Sequence, residues 1–212
     1  MIDLYKEDGL WTVTLNRPDK ANSLTRAMLL HLAEIAEAAA HAPPRALILT
    51  GAGKVFSAGA DLEEARAGLA TDPVWERLSS ALAALPCLTI AALNGTLAGG
   101  AMGMALACDL RLAVPGAKFF YPVMKLGFLP QPSDPARLTA LLGPARAKMI
   151  LMGGARIEAP EALAWGLIDR ITAPEILLDE ARTLTNDART ATAAHVAGIK
   201  ALIPAQAGHK NC

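Results

Sequence analysis

The sequence predicts an α/β domain with a largely parallel sheet. Three observations predict it. Apolar runs such as Ala46–Thr50 and Leu88–Leu93 carry no charge and read as strands buried on both faces. Segments with helical spacing separate them. From Leu78 to Cys108, 31 consecutive residues contain no Asp, Glu, Lys or Arg, yet Pro86, Asn94-Gly95 and Gly99-Gly100 interrupt the stretch. Those breaks, and the dominance of small side chains, argue against a membrane helix and for a buried strand, a tight turn and a buried helix in succession.

The elements follow in order. Trp11–Leu15 alternates apolar and polar residues, as a half-buried strand does, and Asn16-Arg17-Pro18-Asp19 turns the chain. Ser23 is placed to cap a helix running through Met28, Leu29, Leu32, Ile35 and Ala36 until Pro43-Pro44. The strand Ala46–Thr50 leads into the turn Gly51-Ala52-Gly53. A helix over Val74–Leu85 stops at Pro86, the strand Leu88–Leu93 turns at Asn94-Gly95, and Ala101–Ala107 reads as a helix of small residues. Leu110–Val114 is a further strand. Beyond it helical patterns dominate: Ala136–Leu142, Ala145–Met152, Pro160–Gly166, Pro174–Asp187 and Ala191–Leu202.

Composition excludes several functions. The 212 residues carry 20 basic and 20 acidic side chains, so no charge footprint for nucleic acid or an anionic membrane exists. Hydrophobic residues make up 53% but aromatics only 4%, and 44 residues are Ala. The mixed N-terminus Met1–Asp8 does not read as a signal peptide, and three cysteines (Cys87, Cys108, Cys212) without paired spacing suggest neither a disulfide framework nor a zinc site. The expectation is a cytoplasmic protein with reduced thiols.

Two glycine-containing segments follow buried strands: Lys54–Leu62 and Asn94–Gly103. Glycine there permits unusual backbone angles and close approach of a ligand. A helix starting after Gly99-Gly100 leaves unpaired N–H groups. Two such loops side by side would make an oxyanion hole built from backbone. Nucleotide-binding loops do not fit: Gly51-Ala52-Gly53-Lys54 is too short for a P-loop, and the second segment lacks the G-x-G-x-x-G register. By spacing alone, glycines serving tight packing explain the pattern equally well.

Ser57-Ala58-Gly59-Ala60-Asp61-Leu62, followed by Asn94-Gly95 and Gly99-Gly100, resembles the crotonase family, the enoyl-CoA hydratase/isomerase superfamily. Leu15-Asn16-Arg17-Pro18, Cys108–Ala113, Leu126–Pro130, Arg137-Leu138 and Gly166–Asp169 extend the likeness from about Leu10 to Ile171. The resemblance implies a ClpP/crotonase-like superhelix of stacked ββα units. It implies a core over residues 1–171 and a C-terminal helical segment over 172–212, shorter than in relatives. It also implies an acyl-CoA thioester substrate, coenzyme A entering as part of that substrate rather than as a bound cofactor, and assembly as a homotrimer or hexamer.

By motif position the resemblance makes Ala60 and Gly100 the oxyanion N–H donors, with Gly99 and Gly103 in the same segment. Lys20, Ala21, Lys54 and Ala58 fall where relatives contact coenzyme A, and Asp61, Leu62, Pro122, Val123 and Leu126 line the remaining site, Asp61 bracing its loop. Hydratases of the family use two glutamates, at the positions held here by Gly103 and Val123. Substitute proton carriers are sought in Tyr121 and Asp134; a strand there would put Tyr121 and Lys125 on the face of Val123. Glu63 and Glu64 read as solvated helix charges, and the four histidines (His31, His41, His195, His209) fall outside the motifs. Replacing Gly103 and Val123 by Glu is expected to install trace hydratase activity. Met102 stands where the Clp-type proteases carry a serine, which sets that chemistry aside.

Overall fold

The computed structural model describes residues 1–203; His209 and Cys212 lie outside them. The chain begins with a hairpin, β1 (Ile2–Glu7) and β2 (Leu10–Leu15), antiparallel about Asp8-Gly9. β1 escapes the apolar-run criterion because charged residues alternate along an exposed edge strand; the Asp-Gly turn was its legible signal. Helix α1 spans Arg26–His41 and buries Met28, Leu29, Leu32, Ile35 and Ala36. Its cap is Thr25, whose hydroxyl accepts from the Met28 N–H, rather than Ser23. Ser23 instead accepts from the Arg17 guanidinium.

Next come β3 (Ala46–Gly51), β4 (Val55–Ser57), α2 (Leu62–Arg66) and α3 (Val74–Ala83). Then follow β5 (Leu88–Leu93), β6 (Thr96–Ala98) and, after one 3-10 turn over Gly99–Ala101, α4 (Met102–Leu106). The chain continues with β7 (Leu110–Ala113), β8 (Lys118–Phe120), α5 (Val123–Leu126), α6 (Asp134–Leu142), α7 (Pro144–Leu151), β9 (Ile157–Glu158), α8 (Ala159–Trp165) and β10 (Arg170–Ile171). Helices α9 (Leu177–Leu184), α10 (Asn186–Thr190) and α11 (Ala193–Leu202) complete the described chain.

Two sheets hold these elements. The larger has strand order β1-β2-β3-β5-β7-β10, parallel from β2 onward, and the smaller has order β4-β6-β8-β9. Three times the chain passes from a strand of the large sheet to the next strand of the small one and on to a helix: β3 to β4, β5 to β6, β7 to β8. That repetition is the stacked ββα superhelix. The strands β3 and β5 are buried almost throughout, which explains their uncharged sequences.

The site depends on how the turns between paired strands are held. Buried Asn22, at φ +51°, donates to the carbonyls of Ala52 (2.9 Å) and Val55 (2.7 Å) and accepts from the Arg17 N–H (2.8 Å). Asn94 accepts from the Gly51 N–H and donates to the Gly53 carbonyl. Both asparagines satisfy turn groups that the ladder leaves open. Of the described residues, no helix is long and apolar enough to cross a membrane.

Candidate active site

The loops after β4 and β6 touch. Gly59 has φ +93°, and a β-carbon on it would lie 2.9 Å from the Ala98 carbonyl oxygen and 3.5 Å from Gly99 Cα. Only glycine allows this approach. Ser57, fully buried, fixes the first loop: its hydroxyl donates to the Asn22 carbonyl (2.8 Å) and accepts from the Gly59 N–H (3.2 Å).

The orientation of Ala60 follows from its neighbours. Leu24 donates its N–H to the Gly59 carbonyl (2.8 Å), and its carbonyl accepts from the Asp61 N–H (2.9 Å). In extended chain the residue between those two groups directs its own N–H to the opposite side. Gly100 lies in the first turn of the helical run that continues into α4, where N–H groups have no intrahelical partner. Ala60, Gly99 and Gly100 are half-buried, so they border solvent. The structure thus sets two glycine-supported turns side by side.

The coenzyme-side candidates gather at one rim. The Ala58 N–H donates to the Ala21 carbonyl (3.0 Å), and Lys20 closes the short helical turn just before Ala21. A β-carbon on Gly53, the residue before Lys54, would lie 3.1 Å from Pro18 Cβ, so the turn carrying Lys54 adjoins the one carrying Lys20. Lys20, Lys54 and Ala58 are exposed. Asp61 caps α2 by accepting from the N–H groups of Glu63 and Glu64, and it pairs with Arg17 at 2.7 Å. The Arg17 hydrogen bond holds its carboxyl below the usual carboxylate range. Leu62 and Leu126 are exposed, Pro122 is half-buried and Val123 buried.

The region around Gly103 and Val123 departs from the sequence reading. Val123 begins helix α5, not a strand, so Lys125 does not share its face as a strand would require, and it is exposed. Pro122 and the αL residue Gly127 close that short helix. Tyr121 does turn inward: its hydroxyl donates to Asp134 Oδ2 at 2.9 Å. Asp134, fully buried at the start of α6, lies directly over Gly103. A β-carbon at residue 103 would stand 2.9 Å from Asp134 Oδ1 and 3.2 Å from Oδ2. The helix Asp134–Leu142 therefore begins two residues earlier than its apolar spacing suggests.

Burial pushes the Asp134 carboxyl up to about 6, against the lowering effect of the Tyr121 hydrogen bond and of Arg137. Oδ1 has no hydrogen-bond partner; Arg137 approaches it only to 3.8 Å. Burial raises the Tyr121 hydroxyl as well, and the facing carboxylate adds to this.

Two neighbours escaped the sequence reading. Trp75 lays its ring against Gly100, and Glu76 accepts hydrogen bonds from the Ser133 N–H (3.1 Å) and hydroxyl. Both lie on α3, and no local pattern links them to residues 100 and 133. Glu64 is also more than a solvated charge, since it accepts from the Arg26 N–H at the start of α1 (2.6 Å). His31, His41 and His195 are exposed and lie outside these loops.

A ββα superhelix carrying two adjoining glycine turns defines a crotonase-type protein. The Enoyl-CoA hydratase/isomerase family model matches residues 5–211, and the chain belongs to that family. It is 41% identical over 187 residues to the Bacillus subtilis (strain 168) protein YngF, an enoyl-CoA hydratase/isomerase by name, covering 84% of this chain and 72% of that one. It is 34% identical over 196 residues to the 1,2-epoxyphenylacetyl-CoA isomerase of Escherichia coli (strain K12), covering 88% and 75%. The crystal structure of the enoyl-CoA hydratase from Bacillus anthracis superposes with a TM-score of 0.85 at 32% identity, covering 94% of this chain and 81% of that one.

Proposed function

We propose that this protein is an acyl-CoA-processing enzyme that stabilises a thioester enolate between the N–H groups of Ala60 and Gly100. The observation that carries the reading is the contact of the two turns at Gly59 and Gly99, beside an Ala60 N–H turned away from its bridge. Fixed donors aimed at a developing oxyanion are each worth about 3 kcal/mol of barrier. The rim of Lys20, Ala21, Lys54 and Ala58 receives the coenzyme A moiety, which arrives and leaves with the substrate. Family membership supports a CoA thioester.

Proton transfer falls to Asp134, because positions 103 and 123 carry no carboxylate. Its free oxygen faces Gly103, and Tyr121 holds the other. With the carboxyl titrating near 6, Asp134 is ionised at neutral pH and acts as base. It takes a proton from the carbon next to the thioester. The C–H electron pair moves into the carbon–carbon bond, and the carbonyl pair shifts onto the thioester oxygen held by the two N–H groups. Returning the proton at a different carbon gives isomerisation. Loss of carbon dioxide from a malonyl-type thioester would reach the same enolate without a base. The missing glutamates favour a second reading, a CoA-ester-binding family member without turnover.

A panel of enoyl-, malonyl- and 3-hydroxyacyl-CoA thioesters tests this, with binding followed by calorimetry and turnover by mass spectrometry. Binding with turnover of at least one class is expected. Tight binding with no turnover anywhere selects the second reading, and no binding of any thioester contradicts both.

A further inference from the structure

The place of Asp134 is set by the segment before it. Asp134 opens α6, and Pro132 and Pro135 fix φ on either side of the Ser133-Asp134 pair. Whatever holds Ser133 therefore holds Asp134. Ser133 makes no cap bond within its own helix. Both of its donors go to Glu76 on α3: the N–H to Oε2 at 3.1 Å and the hydroxyl to Oε1. Ser80, one turn further along α3, donates to Oε1 at 2.9 Å and steadies the carboxylate. Against its burial, the Ser133 hydrogen bonds hold the Glu76 carboxyl below its usual range, so it is charged at neutral pH. A separate tie joins the same two helices: Arg137 Nη2 donates to the Ser79 carbonyl at 3.4 Å. Trp75, beside Glu76, lies against Gly100, and Asp134 lies over Gly103. Helix α3 thus reaches from Gly100 to the segment that carries Asp134.

We infer that Glu76 is a positioning residue, whose two contacts with Ser133 seat the Asp134 carboxylate against Gly103. The inference rests on the reading of Asp134 as the base. The Glu76 carboxylate bonds to Ser133 and Ser80, not to Asp134, so it acts through the backbone. Three groups face Asp134: Tyr121 from the stretch after β8, Arg137 from α6 and the charge of Glu76 from α3; α4 presents only Gly103. Burial is the largest influence on the Asp134 carboxyl, and the Glu76 charge adds a lesser one of the same sign. Loss of the contacts lets Asp134 turn toward water and titrate lower. Loss of the charge alone lowers it only slightly.

The test compares Glu76→Gln with Glu76→Asp. The first drops the charge but keeps an acceptor for the Ser133 N–H and a donor for its hydroxyl. The second keeps the charge but falls one methylene short, while the Arg137–Ser79 tie still docks α6. Infrared titration follows the carboxylic-acid C=O stretch of Asp134, identified by its loss in Asp134→Asn. The wild type and Glu76→Gln titrate near 6, and Glu76→Asp falls toward the usual carboxylate range. In Glu76→Asp kcat drops about tenfold or more with thioester affinity unchanged, and Glu76→Gln keeps most of the turnover. A Glu76→Asp protein that titrates and turns over as the wild type does overturns the inference. So does a Glu76→Gln protein that falls as far as Glu76→Asp, because charge and not reach would then matter. Where Glu76→Asp does not fold, Ser133→Ala removes the hydroxyl contact alone; its Asp134 must shift the same way, and an unchanged titration overturns the inference. A wild type that turns over no thioester removes the base reading instead, and the infrared titration still decides whether Glu76 seats Asp134.

Discussion

At the residue scale, Asp134 carries an ionisation cost. Its carboxyl is raised from 3.8 to about 6, chiefly by burial. The folded chain therefore keeps a proton that the unfolded chain has already lost. Stability from this group is full below about pH 4, falls as pH rises to about 6, and amounts to about 3 kcal/mol. Asp134→Asn is expected to gain up to this amount at pH 7, read from denaturant midpoints, with the pH 4–6 slope flattened. The same variant should lose turnover by about a hundredfold or more while thioester affinity holds, and the limb near pH 6 in kcat/KM should vanish. Unchanged turnover would leave Asp134 a structural group. Gly103 is the other half of this arrangement. Gly103→Ala drives a β-carbon to 2.9 Å from Asp134 Oδ1 and should cost about 1–3 kcal/mol, a cost relieved in the Asp134→Gly background. The same crowding explains why Gly103→Glu does not fit as the sequence alone suggests. A glutamate at 103 needs Asp134→Gly beside it.

At the element scale, the loops of the site are hung from Asn22. It is fully buried in the left-handed region and holds the turns around Ala52 and Val55, while its carbonyl receives the Ser57 hydroxyl. Asn22→Ala should cost about 3 kcal/mol, from orphaned buried carbonyls and a non-Gly residue left at positive φ. Thioester affinity should fall with it, because Ser57 and Gly59 lose their anchor. Thermal melts and calorimetry on one preparation check both. The long strands β3 and β5 were legible because burial on both faces leaves no room for charge. The small-sheet strands were not. β4, β6 and β8 have three residues each, too few to show a period, and pairing with one another defines them. The proposal of Ala60 and Gly100 as donors starts from the motif, since a backbone N–H leaves no mark on residue choice except in the glycines that crowd around it. Trp75, Glu76 and the seat of Asp134 over Gly103 required the fold, because the chain brings them together from separate helices.

At the scale of the whole molecule, Lys200 ties α11 to the β-layer among the described residues. Lys200 Nζ donates to the Cys87 carbonyl (2.8 Å) and to Asp109 Oδ2 (2.7 Å), which also accepts from the Thr89 N–H and hydroxyl. No residue of α11 is buried, so few other contacts secure it. Lys200→Met should leave the global midpoint within about 1 kcal/mol while markedly accelerating proteolytic cleavage before α11. Met149, Leu163, Ile199 and Leu202 present apolar surface on α7, α8 and α11, and Met152 adds to it just past α7. The proposed trimer or hexamer would cover such surface, and sedimentation should then report a mass of three or six chains. Cys87 and Cys108 are free and buried, and burial pushes their thiols up to about 11 and about 12, so neither is set up as a nucleophile.

The central claim is that two backbone N–H groups polarise a bound thioester carbonyl. Its most direct test is isotope-edited infrared difference spectroscopy of crotonyl-CoA labelled with carbon-13 at the carbonyl, free and bound. Donation from Ala60 and Gly100 predicts that the carbonyl stretch moves to lower frequency on binding and stays lowered in Asp134→Asn, which keeps the donors. A bound thioester whose carbonyl frequency matches that of the free ester in water, or lies above it, would contradict the account.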